Sequence, residues 1–387
     1  MKILYVTSDA NWGGSSVALY NLISEITDKN DIYVLMPHDR GELSFKLKKI
    51  GVKCFYTKFY NSTYPSYNTV NDICKFLYRL IKILWYQYKA REKVSKLIEL
   101  IKPDIVHCNV GPLDITLDAC LKYKIPHIWH LREYQKLDLC MNIFPSRRAF
   151  FKKIHTEGNF NIAITKGIFN YFKLRDCDVQ IYDGVYSENK YPVNYKWPVK
   201  QKYFLYVGSI IEGKNLLFAI EAFKDFVKDH KEFKLLIAGN QNTHPMYTRK
   251  CMKYISENKL SQFVVFLGQR SDVYELMQQA TSLIVPSNFE AFGFITAEAM
   301  FNKCLVLGRN TAGTKEQFDN IELLLKSKYV FRFSSKQELV AKLKEAVLYN
   351  DMNTLTKIRN VVSKEYSIEN HIFRIMDFYK KVINNFN

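Results

Sequence analysis

No CxxC pair occurs among the eight cysteines of this 387-residue chain, which sit at 54, 74, 108, 120, 140, 177, 251 and 304. A thiolate zinc cluster is therefore not expected. No stretch approaches the ~20 uninterrupted apolar residues of a membrane-spanning helix. The opening MKILYVTSDANWGG lacks the apolar core and small-residue cleavage site of a signal peptide. Several thiols lie in apolar strand contexts, such as Cys108 in DIVHC and Cys304 in CLVL. Buried reduced thiols, and with them a cytoplasmic location, are the expectation. A GxGxxG fingerprint is also missing, which gives a nicotinamide-type dinucleotide site little support. Acidic residues are scarce, 38 against 56 basic ones, for a formal net charge of +18. That balance favours polyanionic company: phosphates, nucleic acid or an anionic membrane surface.

What is present has a clear rhythm. KILYVT (2–7), DIYVLM (31–36), KCFYTKF (53–59), DIVHCNV (104–110), HIWHL (127–131) and NIAIT (161–165) read as strands. Helical patterns separate them, among them SSVALYNLISEI (15–26) and a long segment over 72–101. This alternation predicts a parallel sheet with helices on both faces. Residues 187–200, SENKYPVNYKWPVK, break it and read as a domain linker. A second series follows: FLYVG (204–208), FKLLIAG (233–239), FVVFLG (263–268), TSLIVP (281–286) and CLVLG (304–308). The expected fold class is α/β, with two doubly wound, Rossmann-like domains facing each other across a cleft. Their expected bounds are 1–190 and 191–366, and a C-terminal helix at 367–387 could cross back to the first domain.

Three motifs could carry chemistry. Gly13-Gly14-Ser15-Ser16 follows the first strand and opens a helix. Glycines there permit positive φ and let N–H groups approach an anion, although a simple tight turn would look the same. Gly208-Ser209 with Lys214 follows the first strand of the second series. A lysine at such a turn can hold a diphosphate as a point charge, or can be an ordinary surface lysine. The sharpest is PSNFEAFGFITAEAMF (286–301), with Glu290 and Glu298 eight positions apart. Residues 291–294 would present N–H groups at a helix start. A carboxylate only accepts hydrogen bonds and suits paired sugar hydroxyls. Glu298 lies in a strongly apolar helix, where a charge needs a partner.

Residues 281–316 resemble the signature region of glycosyltransferase family 4, retaining nucleotide-sugar-dependent enzymes of the GT-B fold, many of bacterial polysaccharide assembly. The carrier is Glu290-x7-Glu298 inside PSxxEAFGxxxxEAM, followed by Ala312-Gly313-Thr314-Lys315-Glu316. Similarity also appears, in order, at Gly13-Gly14, KPDIVHCN (102–109), IPHIWHLREY (125–134), IYDGV (181–185) and VGSIIEGKN (207–215). The resemblance implies an N-terminal acceptor-binding domain and a C-terminal nucleotide-sugar-binding domain. It implies that Glu298 binds the ribose hydroxyls and Glu290 the transferred sugar. The N–H groups of Phe292, Gly293 and Phe294, with Lys214, would hold the diphosphate, which Gly14 would approach from the other domain. His130 would stand near the donor sugar and the attacking hydroxyl, and Arg270 near the base. It further implies retention of configuration, a UDP-sugar donor by default, a glycan or lipid-linked glycan acceptor, and no required metal or other cofactor. Ser209 departs from the pattern, since the family usually has arginine there. Arg309 could substitute by residue type.

Other signals are weaker. Asp176-Cys177-Asp178 resembles a DxD metal motif but follows a helical stretch rather than a cleft loop. His107 and Cys108 end an apolar strand and read as core. Within 73–102, Lys75, Arg79, Lys82, Lys89, Lys93 and Lys96 form a basic stripe at three- and four-residue spacing. Leu77, Leu80, Leu84, Val94, Leu97 and Ile101 supply apolar surface elsewhere on the same helix. Two readings stay open: a crossover helix with a solvated basic face, or peripheral attachment to anionic lipid at the inner face of a membrane. SRRAFFKKIH (146–155) is a second basic–aromatic candidate. The alternatives to a transferase are an epimerase or phosphorylase on the same fold and a basic nucleic-acid-binding protein. No zinc module, helix-turn-helix or RNP-like motif accompanies the charge, so nucleic acid is not the expected partner.

Overall fold

The structure is a computed structural model and describes residues 1–65, 70–187, 190–191, 195–329 and 331–386, without the side chains of 70–72 and 74. The chain forms two compact units. The first joins Met1–Gly184 to Ile368–Asn387, and the second is Val185–Ser367. The observed boundaries at 184 and 367 stand beside the expected ones at 190 and 366.

In the first unit the strands are β1 (Lys2–Val6), β2 (Asp31–Met36), β3 (Lys53–Tyr56), β4 (Thr63–Pro65), β5 (Ile105–Cys108), β6 (His127–Leu131), β7 (Met141–Ile143), β8 (Asn159–Ala163) and β9 (Val179–Gln180). Seven form one sheet in the order β3-β2-β1-β5-β6-β8-β9, parallel throughout. β4 and β7 pair separately and antiparallel. Helices cover both faces of a parallel sheet, which is why β5 and β6 are buried at every position. The Gly14–Ile26 helix buries Ala18, Leu19, Leu22, Ile23 and Ile26 at three- and four-residue spacing. The C-terminal Ile368–Phe386 helix joins the same core through Ile375, Phe378, Tyr379 and Val382.

The second unit holds β10 (Tyr203–Val207), β11 (Lys234–Ala238), β12 (Val264–Gly268), β13 (Ser282–Val285), β14 (Val306–Arg309) and β15 (Arg332–Phe333). The sheet order is β12-β11-β10-β13-β14-β15, again parallel. In both sheets the chain leaves one strand toward opposite edges: β1 between β2 and β5, β10 between β11 and β13. Such a topological switch point, at the carboxyl ends of the strands, is where open α/β sheets bind ligands.

The expected linker is only partly free of structure. Residues 188–189 and 192–194 lie outside the described ones. The described remainder packs: Tyr191 stacks on Phe301 at 5.6 Å, its hydroxyl donates to Asn302, and Trp197 meets Tyr195 edge-on. Aromatic side chains, rather than polarity, decide the fate of this segment.

The long helix spans Val70–Ile101. Its packed row is Ile83, Gln87, Ala90, Val94 and Ile98. Of the residues expected to supply apolar surface, Val94 and Ile101 are buried, and Leu77 and Leu84 are exposed. The SRRAFFKKIH segment forms an Arg147–Ile154 helix capped by Ser146. It turns Phe150 inward and pairs Lys153 with Asp114, so it is a packed element rather than a free basic–aromatic face.

Candidate functional site

At the switch point of the second sheet, two loops meet. One follows β10: Gly208, Ser209, then a short turn at Glu212–Lys214 and Asn215 in the left-handed region. The other follows β13 and runs from Pro286 to Gly293, the N-cap of the Phe294–Phe301 helix. Asn288 N–H donates to the Gly213 carbonyl at 3.0 Å, stapling the loops together. Lys214 Nζ lies 2.6 Å from Glu290 Oε1, and Ser287 Oγ donates to the same oxygen at 2.7 Å.

The loop is held from behind by the Ala312–Leu325 helix. Gly313 N–H donates to the Glu290 carbonyl, and Gln317 Nε2 donates to the carbonyls of Phe292 and Gly293 at 2.7 and 3.1 Å. A Cβ on Gly313 would come within 2.4 Å of the Phe292 carbonyl oxygen, so only glycine permits this approach. Gly293 itself has φ 88°, the left-handed region that lets the loop turn into the helix. The first N–H groups of that helix have no intrahelical partner and carry its positive dipole end. Lys214, Glu290 and residues 292–294 are thus brought together.

Arg309, which no motif located, ends β14 in the same cluster. Its NH1 donates to Asn288 Oδ1 at 2.7 Å, and its guanidinium lies over the Phe218 ring. Asn215 donates to the same Asn288 oxygen. Arg309 is thus tied to the Pro286–Gly293 loop through Asn288, two residues before Glu290.

Glu298 lies on the next turn of the Phe294–Phe301 helix. Tyr274 Oη donates to its Oε1 at 3.2 Å, and Lys190 Nζ sits 3.5 Å from the Tyr274 ring centre. Desolvation pushes the Glu298 carboxyl up to about 7, against the smaller opposing pulls of Tyr274 and Lys190. Arg270 pairs with Asp272, Nε to Oδ1 at 2.8 Å. It is half exposed, and that pair already engages its guanidinium.

Gly14 and His130 belong to the first unit. Gly13 caps the Gly14–Ile26 helix with φ −151°, an extended conformation open to any residue, so positive φ is not what its glycine supplies. A Cβ there would meet nothing within 4 Å, which leaves the backbone open to close approach. His130 is fully buried in β6. Arg132 NH2 lies 3.3 Å from its Nδ1, and a guanidinium can only donate. Desolvation, then the Arg132 charge, holds the ring well below the usual histidine range and hence neutral. His107 Nε2 stands 3.2 Å from the same Nδ1, and His107 Nδ1 stands 2.5 Å from Tyr379 Oη, which donates its one hydrogen to Tyr5 Oη at 3.2 Å. His130 Nε2 has no protein partner among the described residues.

Sequence reasoning missed the residues behind this arrangement. Arg132 makes a buried ion pair with Asp183 and donates to the Asn109 carbonyl at 3.0 Å. Beside it, burial pushes the Glu133 carboxyl up to about 7, and buried Gln135 adopts φ 68°. The charged pair inside REY and IYDGV was the available signal, but 51 residues separate its members. Asp178 of the DxD-like triplet accepts from Asn161 and Arg175, and Cys108 is core. Among the described residues no group of three His, Cys, Asp or Glu side chains gathers as a metal cluster.

Two parallel-sheet units, each with a topological switch point, form the GT-B architecture. A glycosyltransferase from Rickettsia africae superposes with a TM-score of 0.78 at 17% identity, over 99% of both chains. Anabaena Alr3699/HepE in complex with UDP and glucose gives 0.73 at 16% identity, over 98% of this chain and 99% of that one. Residues 187–360 match the family model described as glycosyl transferases group 1. That match lies within the second unit. In sequence it is 26% identical to the uncharacterized glycosyltransferase MJ1178 of Methanocaldococcus jannaschii, over 84% of this chain and 90% of the relative. It is 21% identical to the capsular polysaccharide biosynthesis glycosyltransferase CapH of Staphylococcus aureus, over 82% and 83%.

Proposed function

We propose that this chain is a retaining hexosyltransferase of the family 4 type. It moves a hexosyl unit from a UDP-sugar to a glycan or lipid-linked glycan acceptor in polysaccharide assembly. The observation that carries the reading is the Lys214–Glu290 pair beside the start of the Phe294–Phe301 helix at the sheet's switch point. The likeness to a HepE structure that holds UDP and glucose, and to CapH, supports the donor and acceptor classes.

In this reading Glu298 accepts from the ribose hydroxyls and Glu290 from the transferred sugar. The diphosphate sits against the N–H groups of Phe292, Gly293 and Phe294. Lys214 and Arg309 supply the two cations. Departure of the diphosphate leaves an oxocarbenium-like carbon, and one preorganised donor at the developing anion contributes ~3 kcal/mol. These cations and the helix end balance the charge without calling for a metal. The departing phosphate takes the proton of the acceptor hydroxyl as that hydroxyl attacks from the same face. His130, neutral, orients a hydroxyl through its unpartnered Nε2. Gly14 offers backbone to the same diphosphate, and Arg270 would exchange Asp272 for the base.

A thermal-shift screen of UDP-, GDP- and ADP-sugars tests the reading. At about 100 times its dissociation constant a donor stabilises the fold by ~2.7 kcal/mol, a shift of a few degrees for a chain of this size. A shift with the UDP-sugar, abolished in Glu298→Ala, is expected. A folded protein that responds to none of them contradicts the donor site. Product of inverted anomeric configuration, seen by NMR, contradicts retention.

A further inference from the structure

The first half of the Val70–Ile101 helix carries an apolar seam that none of the described residues of its own unit covers. Ile73, Leu77, Ile81, Leu84, Trp85 and Tyr88 recur at three- and four-residue spacing, the repeat of one helix face. All six are exposed, Ile81 by 66% and Tyr88 by 74%. The row that packs against the unit, Ile83, Gln87 and Ala90, is a separate one. Soluble surfaces scatter single apolar residues, and a contiguous row of this length marks a contact site.

The surroundings say what the contact is. From Ile73 to Lys89 the helix carries Lys75, Arg79, Lys82 and Lys89 and no acidic residue. Lys82 Nζ lies 4.2 Å from the Tyr78 ring centre and Lys89 Nζ 4.3 Å from that of Trp85. The basic rim and the seam therefore share a boundary lined by aromatic rings. A second copy of the chain would bring four positive charges against four. An anionic bilayer complements both parts: phosphate headgroups for the rim, the acyl boundary for the seam, and the interface for tyrosine and tryptophan. Among the described residues no helix is long and apolar enough to cross a membrane, so the helix would lie in the interface rather than span it.

We propose that residues 73–89 form an insertion surface for an anionic lipid bilayer, with Leu77, Ile81, Leu84 and Trp85 entering the acyl boundary and Lys75, Lys82 and Lys89 binding headgroup phosphates. This deepens the reading of a lipid-linked acceptor. It uses no donor-site residue, so it is tested without donor or acceptor and stands or falls apart from the transfer reaction.

The test is co-sedimentation of the full chain with vesicles of equal phosphatidylglycerol and phosphatidylcholine, and with pure phosphatidylcholine. Three proteins are compared: wild type, Lys75→Gln/Lys82→Gln/Lys89→Gln, and Leu77→Gln/Ile81→Gln/Trp85→Gln. All substitutions are at solvent-accessible positions, and unchanged circular dichroism and thermal midpoint certify the fold. Wild type should bind the anionic vesicles. The lysine variant should lose about a hundredfold in affinity at low salt. The seam variant should bind at low salt and detach as salt rises, because only its electrostatic part remains. Trp85 emission in wild type should move to shorter wavelength on binding. Equal binding of wild type and seam variant at high salt, or no preference for anionic vesicles, overturns the proposal. So does a concentration-dependent dimer that the seam substitutions abolish, since the seam would then belong to a second copy.

Discussion

The two units treat polar chemistry in opposite ways. In the first, His130, His107, Arg132, Asp183 and Tyr379 are buried and tied to one another. In the second, Lys214, Glu290, Asn288 and Arg309 stand at loop ends with partial access to solvent. A buried network fixes tautomers and directions, because each member's partner dictates which atom carries hydrogen. A loop cluster at strand ends keeps its charges available and can exchange an internal partner for a ligand. Lys214 is now on Glu290, and a diphosphate would draw it away. The comparison teaches that the first unit is built for orientation and the second for charge.

The largest effect that would sharpen this contrast comes from the first unit. Asp183→Asn leaves Arg132 buried without its counter-ion. That should lower stability by about 3–5 kcal/mol, seen as a fall in the denaturant midpoint. Wild-type stability in this variant would mean that the ion pair is not structural.

In the second unit the large effect should fall on rate instead. Lys214→Ala should reduce turnover with a UDP-sugar by more than about a hundredfold, with the thermal midpoint changed little because Lys214 is partly exposed. Loss of stability with intact turnover would reverse the roles assigned to the two units.

Tyr379→Phe should be milder. It removes the hydroxyl that stands between His107 Nδ1 and Tyr5 Oη and costs about 1–2 kcal/mol, read as a small fall in the denaturant midpoint. Wild-type stability in this variant would mean that the link is not structural.

Arg309→Gln should have the smallest effect, about a tenfold loss in UDP-sugar affinity, equal to roughly 1.4 kcal/mol. Calorimetric titration reads it directly. No change would leave Ser209 without a substitute.

Much of the second unit was legible because its chemistry lies in contiguous motifs. PSNFEAFG spans a strand end, a loop and a helix start, and each step has a local cause: Pro286 after the strand, Gly293 with positive φ, Gly313 where a Cβ would collide. β2 and β6 were readable residue for residue, as DIYVLM and HIWHL, because unbroken apolar runs mark buried parallel strands. The two-residue β15 and the β4–β7 pair were not, since such short strands exist only through distant partners. Nor was the histidine network, whose His107–Tyr379 link closes 272 residues. In the long helix, periodicity found a basic stripe but not which apolar row packs. Leu84 and Val94 look alike in sequence, and only the fold exposes the first and buries the second.

The central claim is that the second unit binds the donor with Glu298 on the ribose. Its carboxyl is pushed up to about 7 in the free protein, so the folded state favours the neutral acid, and the stability this contributes is lost as pH rises through that value. Ribose hydroxyls need the ionised form as their acceptor. Affinity for UDP-glucose, whose diphosphate keeps its charge over this range, should therefore rise about tenfold from pH 6 to pH 8 in wild type. It should be weak and flat in Glu298→Gln. Calorimetry at the two pH values on both proteins is the measurement. Equal affinity in wild type and variant, or a wild-type affinity indifferent to pH, would contradict the assignment.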